Sequence, residues 1–440
     1  MRATVDMGLK DDLVLADPTL PRFVFWEGGL FPLPSSLKSI ITDFWLLSWP
    51  GKIRAGLGAI GLVFPPPTDR EESVREFVTR HLGVEAFEKL IDPFVSGVYA
   101  GDPNKLAMRA ALKKVARLEV LGGPGLIDGA ILRLKERAAE AKNLPAPLQA
   151  DDLPTFQGGS LGSFREGLLM LPRAAAKALG KNKMRTSWAL QGVKESPDGG
   201  YILAFKTPEG PRRLHAQVAV CTAPAHKLGQ VQGLRDIVPA VKRLDEVYYP
   251  PVASVTLAYP SSAFKVDLRG FGNLIPRKMK IRTLGTIWSS ALFPDRVPDG
   301  YSMLLSYIGG AQDPSIKASP GLWRGATDLS SEEIVAECDR DIRKILLKED
   351  APPPKVLGVR LWPTAIPQYQ KGHLAILKDL ADGLKAAPGL VMGGNYITGV
   401  AFGDCVQYGY EEAERIERML TSGDVSSKKS EAKTQGVAAP

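Results

Sequence analysis

Apolar and polar positions change period along this chain, and the changes mark its elements. Pro21-Arg22-Phe23-Val24-Phe25-Trp26-Glu27-Gly28-Gly29-Leu30 reads as strand, turn, strand, with aromatic and β-branched residues around a Gly-Gly. A three-stranded meander is predicted at Thr186–Val193, Tyr201–Thr207 and Leu214–Thr222, with turns at Asp198-Gly199-Gly200 and Pro208-Glu209-Gly210. Its third strand ends in the apolar run Val218–Cys221, as if feeding a central sheet. More strands are expected at Val252–Tyr259, Leu284–Ser289, Met303–Tyr307 and Val356–Leu361, interrupted by loops at Phe271–Pro276 and Ala291–Pro294. Helical spacing dominates 68–118, where Thr68 and Glu71 suggest a capping box and His81 reads as a partly exposed helix residue. Phe94–Pro103 reads as a tight glycine turn. Leu132–Lys142 is a charged helix, and Ser330 with Glu333 caps another carrying Ile334, Cys338, Ile342 and Leu346. Gly162–Pro172 opens a helix that runs through Leu179. The Pro/Asp-rich stretch 144–154 is the best linker, and the Ser/Lys/Ala-rich tail after Thr421 reads as disordered.

Three stretches invite chemistry. Gly389–Met392 reads as a buried strand, Gly393–Cys405 as a glycine-rich loop, and Val406–Leu420 as an amphipathic helix. A helix N-terminus behind such a loop turns backbone N–H groups toward an anion; the plainer alternative is an ordinary strand-to-helix turn. Arg22 stands alone at the head of an apolar run, either as a solvated strand end or as a clamp for a ligand carboxylate. Residues 35–66 are Trp-rich, apolar and flanked by Lys38, Lys52 and Arg54, which suits either a membrane interface or a buried helical hairpin. Gly56-x-Gly58-x-x-Gly61 matches a dinucleotide fingerprint. Its context, Pro50-Gly51-Lys52 before and Pro65-Pro66-Pro67 after, is wrong for one, so it reads as a decoy.

Composition narrows the classes. The chain has 440 residues, 44% of them hydrophobic, enough for two or three domains with a large core. The net charge of +8 is spread along the chain rather than clustered, which argues against nucleic acid as a partner. Cys221, Cys338 and Cys405 are far apart, and His81, His215, His226 and His373 form no metal-binding pattern, so no zinc site is expected. No apolar run is long enough to span a bilayer, and Met1–Thr4 reads as neither a signal peptide nor a transit segment.

The landmarks occur in a recognisable order: Pro21-Arg22-Phe23-Val24, Ser96-Gly97-Val98-Tyr99-Ala100-Gly101-Asp102-Pro103, Gly162–Pro172, Tyr248-Tyr249-Pro250-Pro251-Val252-Ala253, Ala365-Ile366-Pro367-Gln368-Tyr369-x-x-Gly372-His373 and Gly393-Gly394-Asn395-Tyr396-x-x-Gly399-Val400-Ala401. Across about residues 8 to 420 the chain resembles the protoporphyrinogen IX oxidase family, in its plant and algal plastid branch. The resemblance implies a multi-domain α/β (α+β) protein of the FAD-dependent amine-oxidase-like fold. It also implies oxidation of protoporphyrinogen IX to protoporphyrin IX by FAD and O2, with H2O2 as by-product, in haem and chlorophyll biosynthesis. Residue by residue, Arg22 falls where the family holds a propionate and Gly101 where a backbone carbonyl faces the tetrapyrrole. Leu274 and Phe293 match residues that sandwich pyrrole rings. Val400, Ala401 and Phe402 match the C-terminal flavin loop, and Leu190 and Trp362 fall where the family approaches the adenine and the flavin. No general base is implied.

The implied domains are 1–34 (substrate-domain strands and a remnant of the FAD domain), 35–118 (helical, membrane-binding), 119–160 (connection) and 161–225 (FAD-domain helix and meander). They continue with 226–360 (substrate), 361–421 (C-terminal FAD segment) and 422–440 (tail). Expected partners are protoporphyrinogen IX, O2 and a membrane surface touched peripherally. A homodimer is compatible, and the implied location is a chloroplast membrane, thylakoid or envelope. In the family alignment Met1 falls beyond the phosphate loop and the first βαβ unit. The sequence therefore reads as an N-terminally truncated form that binds FAD poorly and turns over little, with any plastid address upstream. Two alternatives stay open: another FAD enzyme of the same fold, or a non-catalytic tetrapyrrole-binding relative.

Overall fold

The computed structural model describes residues 1–34, 37–63, 70–142, 152–154, 160–293, 295–313 and 330–422. The expectations for Thr68, Pro294, most of the 144–154 linker and the tail from 423 onward lie outside the described residues.

In chain order, β1 (Leu13–Leu15), β2 (Arg22–Trp26) and β3 (Gly29–Pro32) precede a helical stretch of α1 (Trp49–Ala59), α2 (Val74–Leu82), α3 (Asp92–Tyr99), α4 (Lys113–Gly122) and α5 (Leu126–Lys142). Then come β4 (Gly162–Phe164), α6 (Met170–Leu179), β5 (Ala189–Glu195), β6 (Tyr201–Thr207), β7 (Gly210–Ala216) and β8 (Ala219–Cys221). They are followed by β9 (Val252–Pro260), β10 (Gly272–Leu274), β11 (Thr283–Ile287), β12 (Tyr301–Gly309), α7 (Ser331–Leu346) and β13 (Lys355–Trp362). The chain closes with α8 (His373–Leu384), β14 (Leu390–Met392) and α9 (Phe402–Ser422). It divides into two units, Met1–Ala175 with Tyr249–Ile366, and Ala176–Tyr248 with Pro367–Pro440.

The first unit is built on a seven-stranded sheet in the order β13-β9-β12-β11-β10-β2-β3. Only the β10–β2 contact is parallel among its pairings. Residues paired across strands share a face, so the register sorts every side chain. One face carries Phe25, Val255, Leu257, Ile275, Leu304 and Ile308 and is covered by α7 through Ile334, Cys338, Ile342 and Leu346. The spacing of those α7 residues, and the capping box of Ser330 and Glu333, are as the sequence predicts. The other face carries Val24 and Trp26, which pack with Phe44, Leu46 and Leu47.

In the second unit β5, β6 and β7 form an antiparallel sheet, and β8 pairs in parallel with β14. The predicted third strand of the meander is thus two strands in two sheets. The apolar end, β8, does feed a separate parallel pairing.

Several local expectations change. Phe94–Tyr99 is helix, not turn; the turn comes at Ala100, in the left-handed region at φ +47°. Gly97 sits in α3 because a β-carbon there would lie 2.4 Å from Leu274 Cδ2. The expected loop Phe271–Pro276 contains β10, which lies between β11 and β2 in the sheet. The capping box that starts α2 uses Ser73 and Glu76. His81 is fully buried rather than partly exposed. Arg54 of α1 donates to the carbonyls of His81 and Arg80, both at 2.8 Å, and Glu119 of α4 lies 3.1 Å from His81 Nε2. Gly56 and Gly58 of the G-x-G-x-x-G match lie in α1 and Gly61 just beyond it, and Gly58 serves packing: a β-carbon there would come 1.5 Å from the His81 carbonyl oxygen.

Candidate active site

The face of the seven-stranded sheet opposite α7 is only partly covered. By register its strand positions include Arg22 and Val24 (β2), Gly272 and Leu274 (β10), and Gly285 and Ile287 (β11). They continue with Leu305 and Tyr307 (β12), Ser254 and Thr256 (β9), and Arg360 and Trp362 (β13). Leu274, Ile287, Leu305 and Tyr307 are half-buried, while Arg22, Arg360 and Trp362 are exposed. These strand positions hold no carboxylate or imidazole. The surface is an apolar platform with a guanidinium on β2 and another on β13, roughly 24 Å apart across five strand spacings.

Both guanidiniums are held by aromatic rings. Arg22 lies over Phe271 at 4.9 Å, and Arg360 over Trp362 at 4.9 Å. Leu274 shares the face with Arg22, two positions along, and its side chain reaches over α3 at Gly97. Ala100 packs with Val252, Leu284 and Tyr307, which brings the Ala100–Gly101 turn over the same face. The Gly101 carbonyl accepts from Gln312 Nε2 at 2.9 Å, and that amide also reaches Ser96 Oγ at 3.3 Å. Burial raises the Tyr307 phenol above its ordinary value, so the hydroxyl stays neutral. Behind the turn, burial raises the Asp92 carboxyl, while the backbone N–H of Arg277 donates to it at 3.0 Å.

The predicted site residues fall in both units. Arg22, Leu274 and Gly101 converge on this face, and Trp362 marks its β13 edge, half exposed at 49%. Phe293 follows a short helix after β11. Its ring lies under Arg296 at 5.3 Å, and Arg296 is bonded to Ser163 and Phe164 of β4. Leu190 belongs to the second unit, half-buried on β5 opposite Phe205. Val400 and Ala401, between β14 and α9, and Phe402, the first residue of α9, also lie in the second unit, with Phe402 46% exposed.

The loop before them is tightly organised. Gly393 N–H donates to the Cys221 carbonyl at 3.1 Å, and Tyr408 Oη to the Met392 carbonyl at 3.0 Å. Gly394 and Gly399 turn the chain at φ +127° and +142°. The N–H groups of Phe402 and Gly403 have no acceptor among the described residues.

The sequence profile of the flavin containing amine oxidoreductases matches residues 1–417. The chain belongs to this family. Among curated amine oxidoreductase relatives, protoporphyrinogen oxidase 1, chloroplastic, of Arabidopsis thaliana is 46% identical over 95% of this chain and 76% of its own length. The chloroplastic protoporphyrinogen oxidase of Nicotiana tabacum is 47% identical over 95% of this chain and 74% of its own. A crystal structure from Exiguobacterium sp. 255-15, provisionally assigned as a protoporphyrinogen oxidase, superposes with a TM-score of 0.70 at 21% identity. It covers 94% of this chain and 83% of that one, and shows the shared fold.

Membership of the amine oxidoreductases makes a flavin the cofactor, and the residues present fit one. At the head of the 21-residue helix α9, N–H groups without an acceptor among the described residues, exposed Ala401 and Phe402, and a helix N-terminus together suit the electron-rich edge of an isoalloxazine ring. Sequence reasoning passed over Gln312, which holds the Gly101 carbonyl, and Tyr307 and Arg360, whose place on the platform follows only from long-range register. It used Tyr369 and His373 as landmarks without a role. Their four-residue spacing around Gly372 was the available signal.

Proposed function

We propose that this chain is an oxygen-dependent protoporphyrinogen oxidase that binds FAD, oxidises protoporphyrinogen IX to protoporphyrin IX and passes the electrons to O2. The observation that carries the reading is the half-open apolar face with Arg22 beside Leu274 and the Gly101 turn. It supports recognition of a large, flat, mostly apolar ligand with acidic side arms. The relatives are protoporphyrinogen oxidases by name.

Arg22 clamps a propionate with its planar fork, oriented by the Phe271 ring. Leu274 and Phe293 supply apolar walls for the pyrrole rings. The Gly101 carbonyl, steadied by Gln312, has a second lone pair to accept a pyrrole N–H. Val400, Ala401 and Phe402 hold the flavin edge, with Trp362 near the flavin and Leu190 near the adenine. FAD, when bound, supplies a hydride acceptor that O2 regenerates with release of H2O2. In this reading the side chains of the platform bind, orient and exclude water.

The segment 35–118 docks on a membrane in this reading. Trp45 and Trp49 are 74% and 59% exposed, and Lys52 Nζ lies 5.9 and 4.7 Å from their ring centres. The reading takes the contact as interfacial, a Trp-rich surface with a basic residue beside it, and no helix among the described residues is long and apolar enough to cross a membrane. The relatives' chloroplastic names support a plastid location, and in this reading the surface met there is a thylakoid or envelope membrane. In the same reading 226–360 binds substrate, and 161–225 with 361–421 binds FAD.

Arg22→Ala tests the assignment. Losing a hydrogen bond to a charged group costs about 1.5–3 kcal/mol, so KM for protoporphyrinogen IX should rise about 10- to 150-fold. The Kd for FAD should not move. Equal weakening of both would remove Arg22 from the substrate clamp.

A further inference from the structure

We infer that Tyr369 and His373 are positioning residues for the 393–399 loop and, through it, for the Val400–Phe402 segment; the inference rests on the flavin reading of that segment. Both side chains are buried. Their rings stack with centroids 4.5 Å apart and 21° between planes. The spacing makes this possible: Tyr369 precedes α8, Gly372 turns the chain at φ +92°, and His373 is the first residue of the helix. Tyr369 Oη donates to the Asn395 carbonyl. His373 Nε2 lies 2.9 Å from the carbonyl of the next residue, Tyr396. A carbonyl only accepts, so Nε2 carries the proton.

Two consecutive carbonyls are thus tied to one stacked pair of rings. On the preceding side Tyr408 Oη holds the Met392 carbonyl and the Cys221 carbonyl holds the Gly393 N–H. Residues 392–396 are fixed at four points. Ile397 and Thr398 then donate back to the Gly394 carbonyl at 3.0 and 3.2 Å, passing the constraint toward Gly399. A loop containing Gly393, Gly394 and Gly399 has large conformational freedom to lose on binding. Ties of this kind remove that freedom before a ligand arrives.

The test uses the full chain and two readouts, hydrogen exchange of the 394–399 amides without flavin and titration with FAD. Tyr369→Phe removes one hydroxyl, His373→Phe removes the donor but keeps a stacking ring, and His373→Gln keeps a side-chain N–H. Tyr369→Phe and His373→Phe should each speed exchange of the loop amides about five- to tenfold, the size of one hydrogen bond. β14 and the middle of α8 should stay protected, FAD Kd should rise by a similar factor, and His373→Gln should recover most of both. Unchanged loop exchange in both phenylalanine variants would overturn the proposal, as would faster exchange spread evenly over α8, β14 and the loop. If the unaltered chain binds no FAD, the flavin reading fails, while the exchange pattern still decides whether the two residues position the loop.

Discussion

Substituting Gly97 tests whether Leu274 is seated as described. A β-carbon at Gly97 would come 2.4 Å from Leu274 Cδ2, so one of the two must yield. Two effects oppose each other in Gly97→Ala. Alanine is favoured over glycine inside a helix by about 0.8–1.0 kcal/mol. Overpacking costs about 1–3 kcal/mol, and the lower part, about 1–2 kcal/mol, applies because Leu274 is half-buried and the obstructing atom is the free end of its side chain. The net change is a loss of about 0–1 kcal/mol. In a Leu274→Ala background the obstruction is gone, and Gly97→Ala should stabilise by about 0.8–1.0 kcal/mol. A double-mutant cycle of urea unfolding midpoints should therefore show a coupling of about 1–2 kcal/mol. In Gly97→Ala alone the displaced leucine should raise KM for protoporphyrinogen IX several-fold and leave kcat nearly unchanged. Additive stabilities would refute the packing. Coupling without a change in KM would keep the packing and remove Leu274 from the substrate site.

Two further outcomes follow from the charges. His81, His226 and His373 are each held below the ordinary histidine value of 6.5, chiefly by burial. For a base depressed on folding, the unfolded chain binds the proton first, so the stability is complete above about pH 6.5 and is lost as pH falls. The urea midpoint should fall from pH 7 to pH 5, less steeply in His373→Gln; a midpoint that rises over this range would contradict the burial. Lys52→Ala should weaken binding to vesicles containing anionic lipid about fivefold, or about 1 kcal/mol, with the difference fading as salt rises. Unaltered partitioning would count against an interfacial role for the Trp45–Trp49 surface.

Much of the architecture was legible where local pattern and long-range pairing agree. Ser330 and Glu333 with the i, i+4 apolar series announce α7, and the aromatic run at 22–26 announces β2. Legibility fails where a distant partner decides. β10 is a three-residue strand in a Gly/Asn/Pro stretch; its pairings with β11 and β2 make it one, and the β2 pairing sets Leu274 on the face of Arg22. Gly97 looks like a turn residue until Leu274 is placed against it. The alternation through 214–222 hides the break between β7 and β8, because β8 takes its partner from residues 390–392. His81 looks like a surface histidine until Arg54 and Glu119 close over it from two other helices. For the site, family resemblance supplied the residue numbers, while the platform between Arg22 and Trp362 needed the full strand register.

The most direct test of the central claim is the rate at which purified full chain, supplied with excess FAD in air, converts protoporphyrinogen IX to fluorescent protoporphyrin IX above the spontaneous rate. The account predicts FAD-dependent, saturable conversion with H2O2 formed alongside, and a higher KM in Arg22→Ala. Saturable porphyrinogen binding with FAD bound and no conversion above the spontaneous rate would contradict it.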